Sequence, residues 1–262
     1  MRVELHFTPH QIDELALREK TVVVIDVLRA STSIVAALHN GAKEIIPVTS
    51  VERAVKISGN LFGDHVLRGG ERNGKMIEGF NLGNSPFEYS EDKVKGKAII
   101  FSSTNGSLAI EKARFARNVA IGGFVNVSLV VQFIGELKQD FIILCAGNNG
   151  MFSVEDSVCA GMLVQKLVDD EVLDLSLSDA AIATTLLYKG YSRSLLKMVK
   201  NSEHGKYLTS IGFGDDLPVC AGVDTIPLLP QLLGNVIRPR RDAEKTEAPT
   251  IPVTSESMRI PL

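Results

Sequence analysis

The sequence predicts an α/β protein: a three-layer α/β/α arrangement around a mainly parallel sheet, with a helix-rich C-terminal third. Three observations carry that expectation. Six short apolar runs are mostly continuous rather than alternating, as in strands covered on both faces. Helical patterns lie between many of them, and alternating strand and helix builds parallel sheets. After Gly150 the pattern becomes mostly helical.

The expected strands are VVVIDV (22–27), EIIPV (44–48), HVLRGG (65–70), AIIFSS (98–103), NVAIGGF (118–124) and FIILCAG (141–147). Between them, helical spacing is read over 31–39, 51–58, 106–116 and 127–137. The later helices are expected at 154–169, 179–188 and 192–208, and LPVCAGV (217–223) is read as one added strand. From Arg238 the chain turns to RPRRDAEKTEAPTIPVTSESMRIPL, rich in charge, Pro, Ser and Thr. Residues 1–238 are therefore expected to form one α/β catalytic domain, with two subdomains meeting near 150 as an alternative. Residues 239–262 are expected to be a flexible tail.

Composition narrows the partners. The chain has 262 residues, 45% hydrophobic and 23% charged, which suits a soluble domain with a sizeable core. A net charge of −3 gives no electrostatic case for nucleic acid or an anionic membrane. An anionic ligand then needs local charges or a metal. Cys145, Cys159 and Cys220 are scattered without C-x-x-C spacing, so they read as core residues rather than a disulfide or zinc framework. The N-terminus lacks a signal-peptide core, and no apolar run reaches the roughly 20 residues a membrane helix needs. The expected location is cytoplasmic, and a symmetric homo-oligomer is compatible with this size.

In open parallel sheets ligands sit beyond the carboxyl ends of the strands. The residues just past each run are therefore the candidates. The first run yields Asp26 and Arg29, an acid and a base inside otherwise apolar sequence. The third yields Arg68, Glu71 and Arg72; the fourth, the segment Ser103, Thr104, Asn105 and Gly106; the sixth ends in Glu155 and Asp156. Each has a plainer reading. Asp26 could only organise a turn with Arg29 as its ion-pair partner. The 102–106 segment could be helix capping rather than a phosphate cradle. Glu155 and Asp156 could be first-turn acids favoured by the macrodipole. His204 reads as a helix-end surface residue. The long loop 69–90, with Met76, Ile77, Phe80 and Phe87, reads as an ordered wall or lid.

Together, VVVIDVLRASTSIVAAL, GGERNGKMIEGFNLGNSP, SSTNGSLAI, CAGNNGMFSVEDSVCAG and SEHGKYLTSIGFGDDLPVC resemble the 2-phosphosulfolactate phosphatase family, from the first strand to about Pro230. The resemblance implies Mg²⁺-dependent hydrolysis of (2R)-2-phospho-3-sulfolactate to 3-sulfolactate and phosphate, a step of coenzyme M biosynthesis and of sulfolactate metabolism. The chain departs from the family pattern at Asn81, where Asp is more frequent, and at Asn148–Asn149, near which a basic residue is common. These departures bear on the substrate rather than on the reaction class.

Such a small anionic, phosphorylated substrate needs several donors. Arg29, Arg68 and Arg72 offer forked donors for oxyanions. Ser103, Thr104, Asn105, Gly106 and, in the long loop, Asn84 complete the expected substrate-binding set. Glu71, Glu155 and Asp156 are the expected Mg²⁺ ligands. Asp26 and Arg29 form the expected catalytic pair. Asp26 could attack phosphorus, act as base or bind metal; Leu28 stands where a haloacid dehalogenase carries a second acid, so that relationship is not drawn. Two rivals remain: a phosphatase for another phosphorylated 2-hydroxy acid, and a non-enzymatic metabolite-binding protein on the same fold.

Overall fold

A computed structural model describes residues 1–60, 65–170 and 174–240. The expected tail falls almost wholly outside them. The strands are β1 (Arg2–His6), β2 (Thr21–Ile25), β3 (Glu44–Pro47), β4 (Val66–Arg72), β5 (Lys75–Met76), β6 (Ala98–Ser102), β7 (Asn118–Gly122), β8 (Phe141–Cys145), β9 (Ser176–Leu177), β10 (Pro230–Leu233) and β11 (Val236–Pro239). The helices are α1 (Ala30–His39), α2 (Val51–Asn60), α3 (Glu91–Val94), α4 (Gly106–Ala113), α5 (Val127–Leu137), α6 (Val154–Val168), α7 (Asp179–Tyr191), α8 (Leu195–Asn201), α9 (Glu203–Ser210) and α10 (Asp216–Cys220).

The strands form one sheet in the order β5-β4-β6-β3-β11-β10-β7-β2-β8-β1-β9. Two parallel blocks, β4-β6-β3 and β7-β2-β8-β1-β9, are joined by the antiparallel hairpin β10–β11. The α/β reading therefore holds. Period-two alternation along β2 explains the layers. Val23 and Ile25 face a core with α5, α6 and α7, including Phe133, Leu163 and Ala181. Val22 and Val24 face the opposite core with α1 and α4, including Ile34 and Ile110. Every residue of β2 is buried, which is why this strand reads as a continuous apolar run.

Several boundaries differ from expectation. Residues 217–223 are not a strand: α10 covers Asp216–Cys220. Its Pro218 lies in the first helical turn, where a missing N–H costs little. The single helix expected over 192–208 is two, α8 and α9, and the Ser202 hydroxyl caps the second by accepting from Gly205 N–H at 2.9 Å. The expected boundary at 238 falls inside β11: Pro239 pairs with Pro230, and Arg240 reaches Glu136. The long loop is ordered by the β4–β5 pairing and a parallel bridge from Gly69 to Leu82. Within it Ile77 and Phe80 are buried against Val48 and Ala54, whereas Met76 and Phe87 are exposed. All three cysteines are buried and free, and burial pushes their thiols up, Cys220 to about 12.

Candidate active site

The carboxyl ends of β2, β4, β6 and β8 open onto a cleft of about 320 Å³. Helix α9 folds across the rim and closes one side with Glu203, His204, Tyr207 and Leu208.

Asp26 follows β2 directly and lines this cleft. It does organise the turn into α1: its N–H donates to Ser31 Oγ at 2.9 Å, and its Oδ1 accepts from Ala30 N–H at 3.2 Å. Its other oxygen faces the start of α4. A Cβ on Gly106 would lie 2.6 Å from Asp26 Oδ2 and 2.5 Å from Ala30 Cβ, so glycine is what permits this approach. Burial raises the Asp26 carboxyl to about 6, with Glu71 and Glu155 pushing the same way and His204 and the Ala30 N–H opposing. The turn reading and the cleft position are therefore both true of Asp26.

Arg29 also lines the cleft, but its fork is engaged by protein. Nη1 donates to Asp216 Oδ2 and Nη2 to the Gly74 carbonyl, each at 2.6 Å, and the guanidinium lies 4.3 Å from the Phe213 ring centroid. The Leu28–Arg29 peptide is cis. Arg29 thus ties α1, the β4–β5 turn and α10 together at the rim.

Glu71 lines the cleft as a hub for backbone. Oε1 accepts from Thr104 N–H at 2.7 Å, and Oε2 from Gly74 N–H at 2.8 Å. The expected cradle at 103–106 is accordingly only partly available. Ser103 and Ser107 cap each other, the Ser107 N–H donating to Ser103 Oγ at 3.0 Å and the Ser103 N–H to Ser107 Oγ at 2.8 Å. Thr104 and Asn105 line the cleft; Ser103 and Gly106 stand behind it.

The other expected arginines do not reach the cleft lining. Arg68 stacks near Phe80, 5.6 Å from the ring centroid. Arg72 donates to the carbonyls of Glu71 and Thr49 and to Ser102 Oγ. Of the two departures from the family pattern, Asn81 accepts from the Arg68 N–H at 2.9 Å, a backbone role. Asn148 and Asn149 line the cleft, and the Asn149 N–H donates to Asn105 Oδ1 at 3.0 Å.

The expected metal trio does not assemble. Asp156 Oδ1 accepts from Val27 N–H at 2.8 Å and Oδ2 from Gly147 N–H at 3.1 Å, so this carboxylate clamps the loops after β2 and β8. Its burial, with Asp26 and Glu155 nearby, pushes its pKa well up. Glu155 turns to α9, its Oε1 lying 3.6 Å from His204 Nδ1. Burial alone would raise Glu155, but the His204 contact outweighs it and holds the carboxyl below its ordinary value. Among the described residues no three His, Cys, Asp or Glu side chains converge as a metal cage.

Oxygen donors suited to Mg²⁺ are nevertheless present. Asn84 lines the cleft, and its buried Oδ1 lacks a hydrogen-bond partner. With Asp26 and Glu71 it gives three side chains bearing hard oxygens around one cavity. Mg²⁺ in phosphate sites takes one or two carboxylates and completes its shell with water and phosphate oxygens. The charge balance agrees: Asp26, Glu71 and Glu203 line the cleft against one arginine already paired with Asp216. Added positive charge would favour the entry of an anionic substrate into such a cleft.

Sequence reasoning missed His204, which is half-buried in the cleft wall rather than a surface residue, and Asp216, the partner of Arg29. Both lie in the SEHGKYLTSIGFGDDLPVC motif, but no strand-end rule points to them.

Fold and site define the class: an α/β enzyme with a polar, carboxylate-bearing cleft at the carboxyl ends of a mainly parallel sheet. The chain belongs to the 2-phosphosulpholactate phosphatase family, whose model matches residues 6–235. A probable 2-phosphosulfolactate phosphatase of Caldanaerobacter subterraneus subsp. tengcongensis is 41% identical over 242 residues, 92% of this chain and 100% of that protein. Proteins of the same description from Thermotoga maritima and Clostridium acetobutylicum are 40% and 39% identical, covering 83% and 88% of this chain and 91% and 97% of their own length. Among the described residues no helix is long and apolar enough to cross a membrane.

Proposed function

We propose that the chain hydrolyses (2R)-2-phospho-3-sulfolactate to 3-sulfolactate and phosphate, using Mg²⁺ in the Asp26 cleft. The observation that carries this reading is the place of Asp26. It stands at the carboxyl end of β2 in the cleft, with one oxygen tied to α1 and the other turned toward the start of α4.

Asp26 and Asn84 Oδ1 would hold the metal, with Glu71, whose oxygens accept from Thr104 and Gly74 N–H, adding negative charge beside it. When bound, Mg²⁺ neutralises phosphoryl oxygens and orients the attacking water. Five asparagines, Asn73, Asn84, Asn105, Asn148 and Asn149, line the same cavity and can offer neutral N–H donors to the carboxylate and sulfonate. Fixed donors of this kind need no reorganisation as charge shifts in the transition state. Arg29 acts through position: by donating to the Gly74 carbonyl and to Asp216 it ties the Gly74 wall of the cleft to α10 behind it.

Phosphate release tests the reading. The full chain, chelator-treated and resupplied with Mg²⁺, is assayed on phosphosulfolactate beside other phosphorylated 2-hydroxy acids. Preference for the sulfonated substrate is expected. Preference for another member of the panel would keep the reaction class and overturn the substrate. Ligand binding without phosphate release from any of them would favour a metabolite-binding protein.

A further inference from the structure

The leaving group of this reaction is the alkoxide of a 2-hydroxy acid. It is a poor leaving group and needs a proton as the P–O bond breaks. Within the rim defined by strand ends, only carboxylates and a permanently charged arginine are on offer. Helix α9 supplies a different group: His204 lines the cleft with its Nδ1 turned to Glu155 of α6, at 3.6 Å. Glu155 is itself buried at the base of the contact, and His204 is half-buried. A carboxylate facing one ring nitrogen fixes the imidazole and leaves the other nitrogen for the reacting side.

Resting on the reading above, we infer that His204 Nε2 donates the proton to the departing sulfolactate oxygen, with Glu155 as the positioning residue. Water adds to phosphorus as the ester P–O bond breaks, and the bond's electron pair leaves on the alkoxide oxygen. The imidazolium proton passes to that oxygen, giving the alcohol. The attacking water retains one proton in hydrogen phosphate and releases the other, which restores the imidazolium through solvent. No other reactant is consumed. The ionisable groups sharing the environment of His204 are Glu155 from α6, Asp26 and Arg29 from the end of β2, Glu71 from β4, and Glu203 and Tyr207 from its own helix.

The test is the pH profile of phosphate release by the full chain with Mg²⁺, for wild type, His204→Gln and Glu155→Gln, with a thermal melt of each. Loss of the histidine proton should give wild-type kcat a falling alkaline limb. His204→Gln should lower kcat roughly a hundredfold or more, leave KM near native and flatten that limb. Glu155→Gln loosens the hold on the imidazole, so kcat should fall while KM stays near native and part of the rate remains. A folded His204→Gln protein with near-native kcat, or one in which only KM rises, overturns the assignment. So does an unchanged kcat in folded Glu155→Gln, which serves if His204→Gln does not fold. A wild type that releases no phosphate overturns the substrate reading and this inference with it; an active wild type with an unimpaired His204→Gln overturns this inference alone.

Discussion

Arg29 and Asp216 form an ion pair with Nη1 2.6 Å from Oδ2 and side chains only 1% and 3% exposed. Asp216 also accepts from Ser85 Oγ at 2.6 Å, so one carboxylate joins α10, the residue that opens α1 and the long loop. Removing one partner of such a pair strands a buried charge. Asp216→Ala should cost about 3–5 kcal/mol of stability, read as a lower midpoint in chemical denaturation. A loss below about 1 kcal/mol would show that Arg29 finds water or another acceptor.

Asp26 gives stability a pH dependence in chelator-treated protein. Its folded carboxyl is raised from 3.8 to about 6, chiefly by burial, so the folded state binds the proton more tightly than the unfolded chain. Its contribution is therefore fully present below pH 3.8 and is lost as pH rises through about 6. At pH 7.5 Asp26→Asn, which removes the buried charge, should stabilise the metal-free protein by up to about 3 kcal/mol. The gain should shrink toward zero near pH 4. Equal effects of the substitution at both pH values would show that the folded carboxyl titrates normally.

The central strands were legible because they are buried on both faces and so read as unbroken apolar runs. β1 was not: RVELH alternates buried Val3 and Leu5 with polar residues, and its charged flanks masked it. β10 and β11 were hidden by prolines at their ends and by the onset of basic sequence. In the site, Asp26, Arg29, Glu71, Thr104 and Asn105 could be found because each stands at or just past the carboxyl end of a strand. His204 and Asp216 could not, since helices far along the chain fold them over the rim. The metal trio failed for a related reason. Sequence shows which carboxylates stand near strand ends, but not that backbone N–H groups of Val27 and Gly147 already occupy both oxygens of Asp156.

Asn84 should matter to metal binding more than to folding. Its Oδ1 is buried in the cleft without a hydrogen-bond partner, so truncation breaks no side-chain bond to that oxygen. Asn84→Ala should weaken Mg²⁺ binding about tenfold or more, measured by calorimetric titration without substrate. Unchanged affinity in the folded variant would remove Asn84 from the proposed ligand set.

The account turns on Asp26, and turnover of Asp26→Asn at saturating Mg²⁺ and substrate tests it most directly. The substitution keeps the side chain's size and an oxygen able to accept from the Ala30 N–H, but removes the charge offered to the cleft. Phosphate release should fall roughly a hundredfold or more while the protein stays folded. Near-native release by folded Asp26→Asn would contradict the account and leave Asp26 as the residue that turns the chain into α1.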